Sequence, residues 1–250
     1  MSGHNKWASI KHKKGALDAK RGKLFTKIIR EMTVAAREGG VNPDGKPRLR
    51  LVIQKAKEAN MPADNIERAI KKGTGELEGA TFENVSFEGY GPAGTAIIVE
   101  GISDNKNRTT SEVRSIFTKS GGNMAGAGSV SFQFTRKGVF LIKKEGLKEE
   151  DVMSIAIDAG ADDFLVEEEN FQVTCLAGDF DKVRTALLEN KIKVESSELS
   201  MLPNNSMKIN DLETAKKILT LVDELEDNDD VQNVYSNFDI PDDILKQIEE

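Results

Sequence analysis

Residues 138–201 read GVFLIKKEGLKEEDVMSIAIDAGADDFLVEEENFQVTCLAGDFDKVRTALLENKIKVESSELSM, and the changes of period along this stretch decide the fold. Gly138–Lys143 is a short apolar run of strand length, and about Lys148 to Ala159 repeats at helical spacing. Phe164–Glu168 and Phe171–Leu176 form two strands around a Glu-Asn turn; Phe180–Asn190 is again helical, and Val194–Met201 again a strand. Strand, helix, strand, strand, helix, strand is the ferredoxin-like, split βαβ order.

Both flanks carry half of the same pattern. Upstream, Thr95–Glu100 is a strand, Asn107–Ser120 a helix (Val113, Ile116, Phe117) and Ser129–Thr135 alternates like a strand through Val130, Phe132 and Phe134. Downstream, Met207–Ile209, Asp211–Leu225 and Val231–Phe238 read strand, helix, strand. Two βαβ halves around a complete unit predict a second ferredoxin-like domain, residues 80–135 together with 204–240. It is interrupted by an inserted ferredoxin-like domain, residues 136–203, because insertion at a surface turn is tolerated. Residues 241–250 remain as a C-terminal tail.

Residues 21–79 change period to that of helices. From Arg21, Leu24, Phe25, Ile28, Ile29, Met32 and Ala36 make one apolar face, ended by Gly39-Gly40. A second helix runs from about Pro47 to Ala59, with Leu49, Val52, Ile53 and Ala56 inward. A third covers Ala63–Lys72, with Ile66, Ala69 and Ile70 inward and Gly73 as its stop. Residues 1–20 read as a flexible basic arm. The fold class is therefore α+β in three domains: a three-helix domain and two ferredoxin-like domains, one inserted into the other.

Most chemical motifs fail on context. Gly89–Gly94 spells G-x-G-x-x-G, but a strand rather than a helix follows, so the bland reading is a β-turn. Gly40–Lys46 resembles a phosphate loop, yet it follows a helix and Pro47 stands where a magnesium-holding hydroxyl belongs. His4 and His12, the only histidines, lie among lysines in the arm, and Cys175 is the single cysteine, in an alternating strand. These exclude a catalytic triad and any zinc set. The acidic run Asp223–Asp230 lacks calcium-loop spacing and reads as a solvated helix end. The expectation is a non-enzyme with no cofactor, no metal, no small-molecule substrate and no membrane span. With no secretory signal and one cysteine, it is placed in the cytoplasm.

The charge is segregated. Net charge is −7, but residues 1–73 hold 18 Lys/Arg against 7 Asp/Glu, an excess of +11, while residues 74–250 hold 17 against 35, or −18. A cationic module on an acidic body suits a polyanion. Lys20, Lys23, Lys27 and Arg30, beside Arg21, lie three or four residues apart on one helical face, opposite the apolar stripe. The arm adds Lys6, Lys11, Lys13 and Lys14, with Trp7 between them to stack on a base or to pack on its own domain. Arg48, Arg50 and Lys55 continue the set on the second helix. Asn105, Lys106, Asn107, Arg108, Thr109 and Arg114 open a helix in the acidic body and form a secondary contact, either for phosphate or simply as a helix cap.

Several blocks together resemble one family. They are Gly3–Lys14 (GHNKWASIKHKK), Asp18–Arg37 (DAKRGKLFTKIIREMTVAAR), Pro47–Arg50 (PRLR), Asn60–Glu76 (NMPADNIERAIKKGTGE) and Glu88–Pro92 (EGYGP). Asp104–Arg114 (DNKNRTTSEVR), Phe117–Asn123 (FTKSGGN), Val130–Phe134 (VSFQF) and Asp230–Pro241 (DVQNVYSNFDIP) complete the match. In this order they resemble the YebC family, whereas residues 136–203 carry few diagnostic positions. The resemblance implies a cytoplasmic protein of three domains without enzymatic activity or cofactor. Family members are described as DNA-binding transcriptional regulators; others act in translation, including a mitochondrial activator of cytochrome oxidase synthesis and forms linked to stalled ribosomes. The expected function is a non-catalytic, nucleic-acid-binding regulator of gene expression, acting as a monomer on DNA. Its alternatives are a ribosome-associated translation factor on ribosomal RNA and a protein-interaction adaptor.

Overall fold

The computed structural model describes residues 17–39, 47–167 and 169–249. The described residues open with three helices: α1 (Leu17–Gly39), α2 (Pro47–Glu58) and α3 (Ala63–Gly73). Ile28, Met32 and Ala36 of α1, four residues apart, close on Leu49, Val52 and Ala56 of α2 and Ala69 of α3. Leu24, expected to begin this stripe, is exposed, and packing starts at Phe25. Gly73 does more than stop α3. A Cβ there would lie 2.3 Å from the Thr33 carbonyl oxygen, so glycine is what lets the end of α3 rest on α1.

The next elements are β1 (Glu83–Tyr90), β2 (Ala96–Ser103), α4 (Lys106–Lys119) and β3 (Asn123–Ala125). Then follow β4 (Phe134–Lys143), α5 (Glu149–Asp158), β5 (Ala161–Val166), β6 (Asn170–Leu176), α6 (Phe180–Glu189) and β7 (Val194–Pro203). The chain continues with β8 (Met207–Lys208), α7 (Leu212–Asp227), β9 (Val231–Ser236), β10 (Phe238–Asp239) and α8 (Asp242–Glu249). Phe132–Asn205 form one compact unit, and the described residues before and after them form the other.

In the Phe132–Asn205 unit the sheet order is β5-β6-β4-β7, antiparallel throughout, the order of a ferredoxin-like sheet. Val152 and Ala156 of α5, and Phe180, Val183 and Leu187 of α6, are buried, with Phe180 stacked on Phe140 at 4.9 Å. Cys175 is wholly buried in β6, and burial followed by the Asp162 charge pushes its thiol up to about 11.

The other sheet runs β3-β1-β2-β9. Here the structure departs from the expectation of two plain βαβ halves. The place beside β2 falls to β1, which pairs antiparallel with both β2 and β3; β8 instead forms a separate two-stranded parallel pair with β10. Val85 and Phe87 from β1, Ile97 and Val99 from β2, Val113 and Phe117 from α4, and Ile218, Leu221, Val222 and Leu225 from α7 build its core.

Two further expectations are corrected. The strand expected over residues 129–135 is absent from 129–133: Val130 is buried, Phe132 is 72% exposed, and β4 begins only at Phe134. The cause is Glu88, whose carboxylate accepts hydrogen bonds from the backbone N–H groups of Gly128 (2.8 Å), Val130 (2.7 Å) and Ser131 (3.0 Å). Burial pushes this carboxyl up, but the hydrogen bonds outweigh it and hold it below the ordinary range. The supposed C-terminal tail contains helix α8, whose Ile244 and Leu245 enter the same core as α7.

Candidate nucleic-acid interface

The face of α1 that carries Lys23, Lys27 and Arg30 is turned toward the acidic end of α7. Lys23 Nζ donates to the Asp227 carbonyl (3.3 Å) and lies 3.1 Å from its carboxylate. Lys27 Nζ donates to the Glu226 carbonyl at 2.8 Å, and the Arg30 guanidinium to the Asp229 carbonyl at 2.8 Å. Residues at i, i+4 and i+7 share a helical face, so one row of cations meets one run of oxygens. The last turn of α7 has no basic residue of its own. A helix C-terminus presents unpaired carbonyls and partial negative charge, which cations from α1 compensate here.

The row ends in a buried node at Asp230, whose side chain is 4% exposed. Its carboxylate accepts from Arg30, from Thr109 Oγ1, from Ser103 Oγ (3.1 Å) and from Arg108 (2.7 Å). The backbone makes the pocket: Ile102 N–H donates to the Asp230 carbonyl at 2.7 Å, and Asn228 Oδ1 accepts from Asp230 N–H at 2.9 Å. Gly101 faces that carbonyl so closely that a Cβ would come within 2.6 Å of it. Burial raises the Asp230 pKa, but hydrogen bonds from Thr109, Arg108 and Arg30 and the Arg30 charge bring it down to about 2. The same carboxylate, and then Asp104, raise the Arg108 pKa.

This geometry sorts the residues singled out in the sequence. Lys6, Trp7, Lys11, Lys13 and Lys14 lie outside the described residues. Lys20 and Arg21 belong to the start of α1. Lys23, Lys27 and Arg30, expected to form an open basic face, are instead engaged within the chain, because the end of α7 offers them oxygens at close range. On α2, Arg48 is exposed but reaches Glu38 at 2.7 Å and Asn84 at 3.1 Å; Lys55 is 3.5 Å from Glu31, and Arg50 is exposed. In the secondary cluster Asn105 caps α4 by accepting from Arg108 N–H, and Thr109 is buried against Asp230. Arg108 bridges Asp104 and Asp230, whereas Lys106, Asn107 and Arg114 are exposed.

Asp230, expected to belong to a solvated acidic run, is instead the most enclosed carboxylate of that run and the point where α1, β2 and α4 meet. One signal in the sequence could have found it. An uncompensated run of carboxylates at a helix C-terminus requires a cation from elsewhere. Among the described residues there is no group of three or more His, Cys, Asp and Glu side chains that could hold a metal ion, and no helix is long and apolar enough to cross a membrane.

A helical module bound through a buried ion-pair node to a discontinuous α+β domain, which carries a second α+β domain as an insertion, defines a class of three-domain proteins. The chain belongs to the TACO1/YebC family: residues 82–238 match the family's second and third domain, and residues 5–76 its N-terminal domain. A relative from Fusobacterium nucleatum, named "Probable transcriptional regulatory protein", is 55% identical over 249 residues, with all of both chains covered. Another of that name, from Persephonella marina, is 54% identical over 99% of this chain and 100% of its own. The crystal structure of a conserved hypothetical protein from Aquifex aeolicus is similar, with a TM-score of 0.87 and 49% identity. It covers 96% of this chain and 99% of its own.

Proposed function

We propose that this chain is a non-catalytic regulator of gene expression that binds nucleic acid through its N-terminal basic residues, acting on DNA as a transcriptional regulator. The observation that carries the reading is the charge segregation, +11 over residues 1–73 against −18 over the rest. The regulatory name of its relatives is consistent with it. The contact is made chiefly by Lys6, Lys11, Lys13, Lys14, Lys20 and Arg21, with Trp7 stacking, and is extended by Arg48, Arg50 and Lys55. Lys106 and Arg114 supply the secondary contact. The protein works in the cytoplasm as a monomer, without cofactor, membrane or small-molecule substrate.

Phosphate contacts of this kind supply affinity and steep salt dependence but no sequence information. The inward turn of the α1 row favours a second reading, a translation factor on ribosomal RNA. Among the described helices, the best-ordered basic face is not open to enter a major groove, and RNA is recognised by shape and backbone more than by a groove code.

The test titrates the full chain with a duplex DNA and an RNA of the same sequence at several salt concentrations. Affinity should fall linearly on a log–log plot, and reversing Lys6, Lys11, Lys13 and Lys14 to Glu should make the slope shallower by about 3–4. Salt-independent binding, or an unchanged slope, would overturn the proposal. Crosslinking in cells then separates the two readings: promoter peaks support DNA, and ribosomal RNA peaks support the ribosome.

A further inference from the structure

We infer that the acidic end of α7 is an internal competitor for the nucleic acid: it occupies Lys23 and Lys27 of α1 and lowers the affinity of the basic module until a polyanion displaces it. This rests on the polyanion-binding reading above and adds to it a built-in regulation, in which Lys23 and Lys27 join that contact only when released from α7.

The ammonium groups of the two lysines meet the carbonyls of Asp227 and Glu226 and the Asp227 carboxylate. A row of oxygens bearing negative charge is also what a phosphate backbone presents, so a helix C-terminus extended by Glu226, Asp227, Asp229 and Asp230 offers the same ligand chemistry.

The contact is also graded along α1. At one end, Arg30 (side chain 15% exposed) meets Asp230 (4%) among further hydrogen-bond donors, and water cannot screen that pair. At the other end, Lys23 (46%) and Asp227 (76%) lie in solvent, where an ion pair is weak and salt-sensitive. A polyanion can therefore take Lys23 and then Lys27 while Arg30 stays seated. The helical module need not leave the α+β domain, and the node at Asp230 acts as the pivot.

α7 has no basic residue in its own last turn, so when the lysines leave, its end gives up the compensation they supply. Displacement thus has a cost that a polyanion must exceed. Short or sparsely charged ligands fail to meet it, and long ones succeed by supplying several phosphates at once.

The test compares three full-length proteins by fluorescence anisotropy against a labelled 20-nucleotide RNA and a 20-base-pair DNA at low salt. The first is unaltered. The second carries Glu226→Gln and Asp227→Asn, which keep both carbonyls but remove the side-chain charges. The third carries Glu78→Gln and Glu83→Gln, which remove the same charge from exposed sites in the same unit. The second protein should bind roughly three- to tenfold tighter than the third, the fold-change that one or two exposed ion pairs are worth. Equal gains in the second and third would show that only net charge matters and would overturn the competitor. Failure of the unaltered protein to bind either probe would instead sink the nucleic-acid reading itself. Melting temperatures of all three should agree within a few degrees; a collapse of the second protein would mean that the contact is structural, which also overturns the inference.

Discussion

Replacing Asp230 by Asn should remove the main polar tie between the three-helix module and the α+β domain. The wild-type carboxylate gathers Arg30, Arg108, Thr109 and Ser103, and its pKa of about 2 lies below the ordinary 3.8. That difference corresponds to on the order of 2 kcal/mol favouring the charged, folded form. Asparagine loses more than this, because its amide N–H groups face some of the same donors and Arg30 is left without a counter-charge in a largely buried position. Breaking a buried pair on one side costs about 3–5 kcal/mol. Arg108 adds little to that figure, since its side chain is 43% exposed and water replaces the carboxylate there. The assay is urea unfolding followed by circular dichroism for the wild type, Asp230→Asn, Arg30→Met and the double variant. Asp230→Asn should lose about 3 kcal/mol or more, and the cycle should give a coupling of about 2 kcal/mol. A loss under about 1 kcal/mol, or additive single losses, would refute the view that a desolvated ion pair holds the module. The pH dependence carries the same sign. A folded-state pKa depressed below the unfolded value contributes stability that is complete above about pH 4 and is lost as pH falls through about 2. Asp230→Asn should therefore flatten the acid limb of the stability curve between those values.

Two further outcomes follow from other buried groups. Glu88→Gln keeps one acceptor oxygen but loses the charge that holds the N–H groups of Gly128, Val130 and Ser131. It should cost about 1–3 kcal/mol and should accelerate amide exchange at Val130 and Ser131; unchanged exchange would mean that the carboxylate does not organise the segment. Cys175, wholly buried with its thiol raised to about 11, should resist iodoacetamide at pH 8 in the folded protein and react in urea. Rapid native alkylation would contradict its placement in the core.

The elements of this fold were legible because helices and most strands announce themselves locally. The four-residue rhythm of Ile28, Met32 and Ala36 gave α1, and the order of periods in residues 138–201 gave the ferredoxin-like unit. What the sequence misjudged involved partners far along the chain. Val130, Phe132 and Phe134 alternate as a strand should, yet their segment follows a carboxylate some forty residues earlier. β1 offers only Val85 and Phe87 at alternating positions before Gly89, too short a pattern to read as a strand, and only sheet pairing places it beside β2.

By itself, then, the sequence determined the class of fold, the segregation of charge and which residues of α1 share a face. Tertiary structure alone decided where that face points. Lys27 and Glu226 are 199 residues apart, and Arg30 and Asp230 are 200. No periodicity relates positions so distant, because periodicity records only which side of an element a residue occupies. Whether a cation there meets water, a phosphate or a carboxylate depends on which helix end the packing brings opposite, and here packing brings a C-terminus with no basic residue in its own last turn.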